Sequence, residues 1–269
     1  MPVYKELEEN FKVDYIAGGA TQNSIRVASW MLGNTGTAYM GCVGADAYGT
    51  QLKTCAEASG VIAHYMVDES TPTGTCAVLI KDAERTLVTN LAAANNYTKA
   101  HLEGDEAQAL ITKAKVIYSA GFFLTSGGPA CTTYLGEHCA KTGKLYCLNL
   151  SAPFICEFFT EQLDQTMPFV DIVFANETEA ASLGKVKGWG EDLGEIALQL
   201  AAMPKASGTH ARMVVFTQGA SQTVVVLDGK VRRAPSSSRA ASCWSQAAAA
   251  CMGEHPTIQR LAPRQNRTC

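Results

Sequence analysis

The stretch best equipped for chemistry is Ala17-Gly18-Gly19-Ala20-Thr21-Gln22-Asn23-Ser24. It follows a short apolar run, residues 13–16, and opens into apolar residues at helical spacing, 25–32. Two adjacent glycines let backbone approach a ligand where any Cβ would clash. A helix N-terminus carries free N–H groups and a partial positive charge. That combination suits a ligand with several hydroxyls or an anionic group. A glycine turn with a threonine cap is the plainer account of the same residues.

Other candidates each carry two readings. Asn176-Glu177-Thr178-Glu179 has the spacing of a capping box. The same Asn176 and Glu179 suit magnesium-bound water beside a phosphate, because magnesium keeps several waters and needs few carboxylates. Phe122-Phe123 reads as core, or as a ring that stacks on a purine. Arg85 is one of three arginines in residues 1–230. It is either a solvated charge or a planar donor fork that closes over phosphates. Thr217-Gln218-Gly219 is a turn, or a loop with donors near a nucleotide. His64, His101, His138, His210 and His255 show no metal-ligand or triad spacing, and there is no P-loop, GxSxG or HExxH motif.

The elements that must position these residues alternate. Strand patterns cover residues 38–43, 116–120, 145–148, 172–174, 213–216 and 223–227. Helix patterns cover 48–58, 106–114, 129–141, 162–167, 177–183 and 193–203. Strand–helix repetition predicts a parallel sheet with helices on both faces. Residues 62–67, 76–80 and 87–89 are strand-like with no helix between them, which predicts a small antiparallel sheet, a natural cover for a cleft. In open α/β sheets ligands sit beyond the carboxyl ends of the strands. Those ends carry Gly121-Phe122-Phe123, Asn149-Leu150-Ser151, Asn176-Glu177-Thr178-Glu179 and Thr217-Gln218-Gly219. This clustering points to a nucleotide or nucleoside site.

Composition narrows the classes. The chain has 269 residues, 47% of them hydrophobic, and a formal net charge of −3, enough for one full core. Nothing global favours nucleic acid or an anionic membrane. No apolar run reaches the length of a transmembrane helix, and the charged start is no signal peptide. Ten cysteines without a CxxC pair predict buried thiols in a reducing compartment. The expectation is a cytoplasmic monomer without nucleic-acid or membrane partners.

Six segments, in order, carry a family resemblance. They are residues 17–24, Pro72-Thr73-Gly74-Thr75, residues 90–95, residues 120–125, Asn149-Leu150-Ser151-Ala152-Pro153-Phe154 and residues 176–181. Over about residues 3–230 the chain closely resembles the adenosine kinases, a branch of the ribokinase-like carbohydrate kinases. The resemblance implies a three-layer doubly wound α/β domain over 1–234, with a small β lid from about 10–19 and 62–95. It implies transfer of the γ-phosphoryl of ATP, with Mg²⁺, to the 5′-hydroxyl of adenosine. It places Gly18, Gly19 and Asn23 on the ribose, Phe123 on the adenine, and Arg85 in the lid. Asn149, Asn176, Glu179, Thr217 and Gly219 fall on the ATP side, with Glu179 the magnesium-linked carboxylate.

The chain also departs from the family. It has no earlier strand ending in the ribose-binding aspartate, and no downstream Gly-Ala-Gly-Asp. That motif supplies the anion hole and the base for the 5′-hydroxyl. Gly44-Ala45-Asp46 matches a different family segment, so no catalytic role passes to Asp46. Residues 231–269 hold six arginines and no lysine, against three arginines and thirteen lysines before them. A foreign segment after about Arg233 and a disordered tail over 235–269 are expected, in a chain truncated at both ends relative to the family. Impaired phosphorylation follows. A non-catalytic nucleoside-binding or regulatory variant, and a kinase of another sugar or nucleoside, remain alternatives.

Overall fold

The computed structural model describes residues 2–81, 84–206 and 210–235. The chain opens with α1 (Pro2–Asn10), an irregular segment over residues 11–19, and α2 (Ala20–Met31). β1 (Thr37–Gly44), α3 (Ala47–Ala58) and β2 (Val61–Asp68) then form a parallel βαβ unit, in register from Thr37↔Val61 to Gly44↔Asp68. β3 (Thr75–Lys81) and β4 (Glu84–Asn90) make an antiparallel hairpin, a separate two-stranded sheet.

The main sheet follows. Its elements are α4 (Lys99–Glu103), α5 (Asp105–Lys113), β5 (Val116–Ala120), α6 (Gly128–Thr142), β6 (Leu145–Asn149), α7 (Pro153–Phe158) and α8 (Thr160–Thr166). They continue as β7 (Ile172–Asn176), α9 (Glu177–Lys187), α10 (Leu193–Ala202), β8 (Met213–Thr217), β9 (Thr223–Leu227) and β10 (Lys230–Ala234). The six strands lie in the order β10-β9-β8-β7-β6-β5. β5 to β8 are parallel, as helical crossovers allow. β9 and β10 are joined by short loops, too short for a crossover, and run antiparallel to their neighbours.

Alternation along the strands builds two cores. Tyr146, Leu148, Val173, Ala175, Val214 and Phe216 enter the large one, with Cys131, Leu135, Leu183, Ile196 and Leu200 from the helices. Cys147, Phe174 and Val215 face the other way, into a smaller cluster with Tyr118, Ile172 and Met213. The seven cysteines among the described residues are free thiols.

Two strand expectations are corrected. Residues 10–19, expected to contain a lid strand, carry none. Val13, Tyr15 and Ile16 are exposed there, and no described strand runs alongside to supply ladder partners. Residues 62–67, expected in the antiparallel sheet, pair in parallel with β1 instead. α3 lies just upstream and provides the crossover that parallel pairing requires. The tail expectation for 236–269 lies outside the described residues.

Arg212 ties the helical layer to the sheet. It is buried, and its guanidinium donates to Val170 O, Leu200 O, Met203 O, Met167 O and Pro204 O at 2.7–3.0 Å. Leu200 and Met203 lie at the end of α10, where carbonyls lack helical partners and the dipole favours a cation.

Candidate active site

The carboxyl ends of β5 to β8 stand side by side. Ala120 pairs with Asn149, Asn149 with Phe174, and Asn176 with Thr217. The candidate residues Asn149, Asn176 and Thr217 therefore share one edge of one sheet.

At the end of β7, Asn176 caps α9. Its Oδ1 accepts from Glu179 N–H at 2.8 Å, and Glu179 Oε2 accepts from Asn176 N–H at 3.0 Å. Thr178 Oγ1 also donates to Asn176 Oδ1, at 2.8 Å. Glu179 is only 2% exposed. Burial pushes its carboxyl up to about 7, against the hydrogen bond from Asn176. A carboxyl in that state gains charge readily when a cation arrives. Among the described residues no group of three or more His, Cys, Asp or Glu is placed to hold a metal. A single carboxylate fits magnesium that keeps its waters and leans on substrate phosphates.

At the end of β5 a 3-10 turn, Gly121–Thr125, carries both candidate rings. Phe123 packs edge-on against Tyr97, ring centroids 5.7 Å apart. Phe122 is partly exposed and lies 6.0 Å from Phe154. Gly121 sits so close to the next strand that a Cβ would meet Leu150 O at 2.6 Å. At the end of β6, Asn149 is buried and its Oδ1 accepts from Ser151 N–H at 2.6 Å. At the end of β8, Thr217 is buried, its Oγ1 donating to Ala175 O at 3.4 Å, and Gly219 has φ of 52°.

Gly18 and Gly19 precede α2, which packs on β1 and β5. Gly19 has φ of 103°, a conformation natural to glycine. An added Cβ on Gly18 would meet nothing within 4 Å, so open space lies beside it. Asn23 is in the first turn, its N–H donating to Gly19 O at 2.9 Å. Arg85 is a hairpin residue paired with Ile80. A cavity of about 340 Å³ lies elsewhere, lined by Leu145, Ile172 and Met213 at the amino ends of β6 to β8. It is at the opposite edge of the sheet from the candidate site. Ser151 carried no role in the sequence, because nothing local announces its φ of 70°.

Asp46 is a cap and a brace. It is the N-cap of α3, with Oδ1 accepting from Gly49 N–H at 2.8 Å and from Thr73 Oγ1 at 2.6 Å, and Oδ2 from Thr73 N–H at 2.8 Å. Burial works against its charge, but the bonds from Thr73 and Gly49 outweigh it and hold the carboxyl below its ordinary value.

Parallel strands whose carboxyl ends gather polar groups, a capped α9 and a glycine-led α2 define a nucleotide-handling α/β protein. The family model for pfkB family carbohydrate kinases matches residues 1–240, and the chain belongs to that family. Within it the similarity is to adenosine kinases. The chain is 50% identical over 237 residues to Adenosine kinase 1 of Arabidopsis thaliana, covering 87% of this chain and 69% of that protein. It is 48% identical over 230 residues to the adenosine kinase of Dictyostelium discoideum, covering 85% and 67%. Among solved structures, Anopheles gambiae adenosine kinase in complex with P1,P4-di(adenosine-5) tetraphosphate matches with a TM-score of 0.84 at 40% identity, covering 87% of this chain and 70% of that one. Schistosoma mansoni adenosine kinase in complex with adenosine and AMP matches with a TM-score of 0.82 at 28% identity, covering 94% and 83%.

Proposed function

We propose that this chain binds adenosine and ATP at the carboxyl edge of β5–β8 and transfers the γ-phosphoryl group to the adenosine 5′-hydroxyl, giving AMP. The observation that carries this is the alignment of Asn149, Asn176 and Thr217 at one sheet edge, in a chain 50% identical to an adenosine kinase. Gly18, Gly19 and Asn23 take the ribose, and Phe123 lies on the adenine. Asn149, Thr217 and Gly219 lie along ATP. Asn176 and Glu179 would hold Mg²⁺ through its water, and the ion would supply neutralisation of phosphate charge. The β3–β4 hairpin is the lid of a kinase domain spanning 1–234, and Arg85 on it closes over the phosphates. The protein works as a cytoplasmic monomer. Among the described residues no helix is long and apolar enough to cross a membrane.

Chemistry sets the expected rate. A base must take the 5′-hydroxyl proton, and fixed donors must meet the developing charge. The 269 residues contain no Gly-Ala-Gly-Asp, and Asp46 is engaged in capping α3 and bracing Thr73. A positioned base typically contributes about 10²–10⁴-fold. This chain is therefore expected to bind adenosine and to turn it over about that much more slowly than a relative carrying the motif. A second reading is a nucleoside-binding protein without turnover.

The test is an assay of the purified chain with ATP, Mg²⁺ and adenosine, calorimetric titration with adenosine, and circular dichroism to check folding. Asn23→Ala should weaken adenosine binding at least about fivefold, the scale of a lost hydrogen bond. Absence of adenosine binding by a folded chain would remove the proposal. Binding with no measurable AMP would select the second reading.

A further inference from the structure

The turn that carries Phe122 and Phe123 is held from the neighbouring strand by Ser151. No side chain within the turn caps its start. The first N–H, that of Gly121, donates instead to Ser151 Oγ at 2.8 Å. Ser151 Oγ donates onward to Asn149 O at 3.2 Å, and Ser151 N–H donates to Asn149 Oδ1 at 2.6 Å. One step back, Leu150 N–H donates to Phe174 O at 2.9 Å. The ends of β5, β6 and β7 are thus stitched together through residues 149–151.

Ser151 adopts φ of 70°, in the left-handed region that non-glycine residues rarely occupy. Glycine would take that φ without strain but would offer no hydroxyl. Strain of this kind persists where the surroundings over-determine it, commonly at functional sites. The far side of the turn is equally constrained. A Cβ on Gly128 would overlap Phe123 O, and Tyr97 backs the Phe123 ring. The hydroxyl of Ser151 closes the near side.

We propose that Ser151 is a positioning residue for the nucleoside base. Its hydroxyl fixes the start of the 121–125 turn, and through it the ring of Phe123. The proposal rests on the adenosine reading above and adds a residue that does not itself touch the base.

Ser151→Gly keeps the backbone conformation and removes the hydroxyl. In calorimetric titration of the full chain, adenosine affinity is expected to fall about five- to tenfold, the scale of one hydrogen bond, with circular dichroism showing that the chain is still folded. In a Phe123→Ala background the same substitution is expected to change affinity less than about twofold, because the positioned ring is gone. Unchanged affinity in Ser151→Gly, or an equal loss in both backgrounds, overturns the proposal and leaves adenosine binding intact. No adenosine binding by the folded, unsubstituted chain overturns both. Hydrogen exchange at the Gly121 amide gives a readout that needs no ligand. Exchange at least about tenfold faster in Ser151→Gly supports the link, and unchanged protection overturns it.

Discussion

Asn176 and Glu179 hold each other by two reciprocal hydrogen bonds, 2.8 Å and 3.0 Å long. The pair is a capping box, and it seals a carboxyl that water scarcely reaches. The residue proposed to serve magnesium is therefore also the residue that starts α9. Each role explains part of its environment.

Glu179 predicts a pH-dependent stability. Its carboxyl is pushed up to about 7 in the folded chain, from an ordinary 4.5. The folded state keeps a proton that the unfolded state releases. The contribution is complete below about 4.5 and is lost as pH rises to about 7, with an upper bound on the order of 3 kcal/mol. Glu179→Gln can still accept from Asn176 N–H and has no proton to lose. Melting curves from pH 4.5 to 8 should show this slope in the wild type and not in the variant. Parallel curves would show that Glu179 titrates normally.

His101 predicts the opposite slope. It stacks on His64 with ring centroids 4.5 Å apart, and Tyr97 Oη lies 3.0 Å from its Nδ1. Burial, then the neighbouring His64, lowers its pKa, while Glu106 raises it. A depressed base favours folding while it is neutral. That stability is present above the ordinary value of 6.5 and is lost as pH falls below it. His101→Phe should reduce the acid-side loss in urea titrations between pH 5 and 7. A variant with the wild-type acid limb would exclude His101 as the source.

Asp46 predicts a structural phenotype. Removing it leaves Gly49 N–H, Thr73 N–H and the Thr73 hydroxyl without their acceptor. Asp46→Ala should cost about 1–2 kcal/mol in denaturant unfolding, the upper range for a lost N-cap. Adenosine affinity should stay within about twofold. A large loss of turnover at unchanged stability would instead mark Asp46 as a base.

Arg212 predicts the largest loss. Arg212→Met removes a buried cation and leaves five carbonyls without its hydrogen bonds. Unfolding should become easier by about 3–5 kcal/mol. Arg212→Lys should recover only part of this, since an ammonium has three donors where the guanidinium has five. Full recovery by lysine would show that charge alone matters there.

Local signals in the sequence determined a good deal. The spacing of Asn176 and Glu179 announced a cap, because a capping box is closed within four residues. The strand–helix alternation from residue 105 onward announced β5 to β8, because each parallel strand needs its own crossover. The polar residues at those strand ends are legible without any knowledge of the packing, and the parallel pairing brings Asn149, Asn176 and Thr217 to one edge.

Tertiary structure decided what depends on partners distant in the chain. The sequence of β2 suits either kind of pairing, and β1 with its intervening helix made it parallel. Residues 11–19 have the apolar residues of a strand but join no strand ladder, so they remain irregular. The burial that raises Glu179 comes from the packed domain around it, and the carbonyls that surround Arg212 come from two separate segments, 167–170 and 200–204. Ser151 is the sharpest case. Its identity is legible as one letter among six, but its left-handed backbone and its bond to the N–H of Gly121, thirty residues earlier, appear only when the ends of β5 and β6 lie side by side.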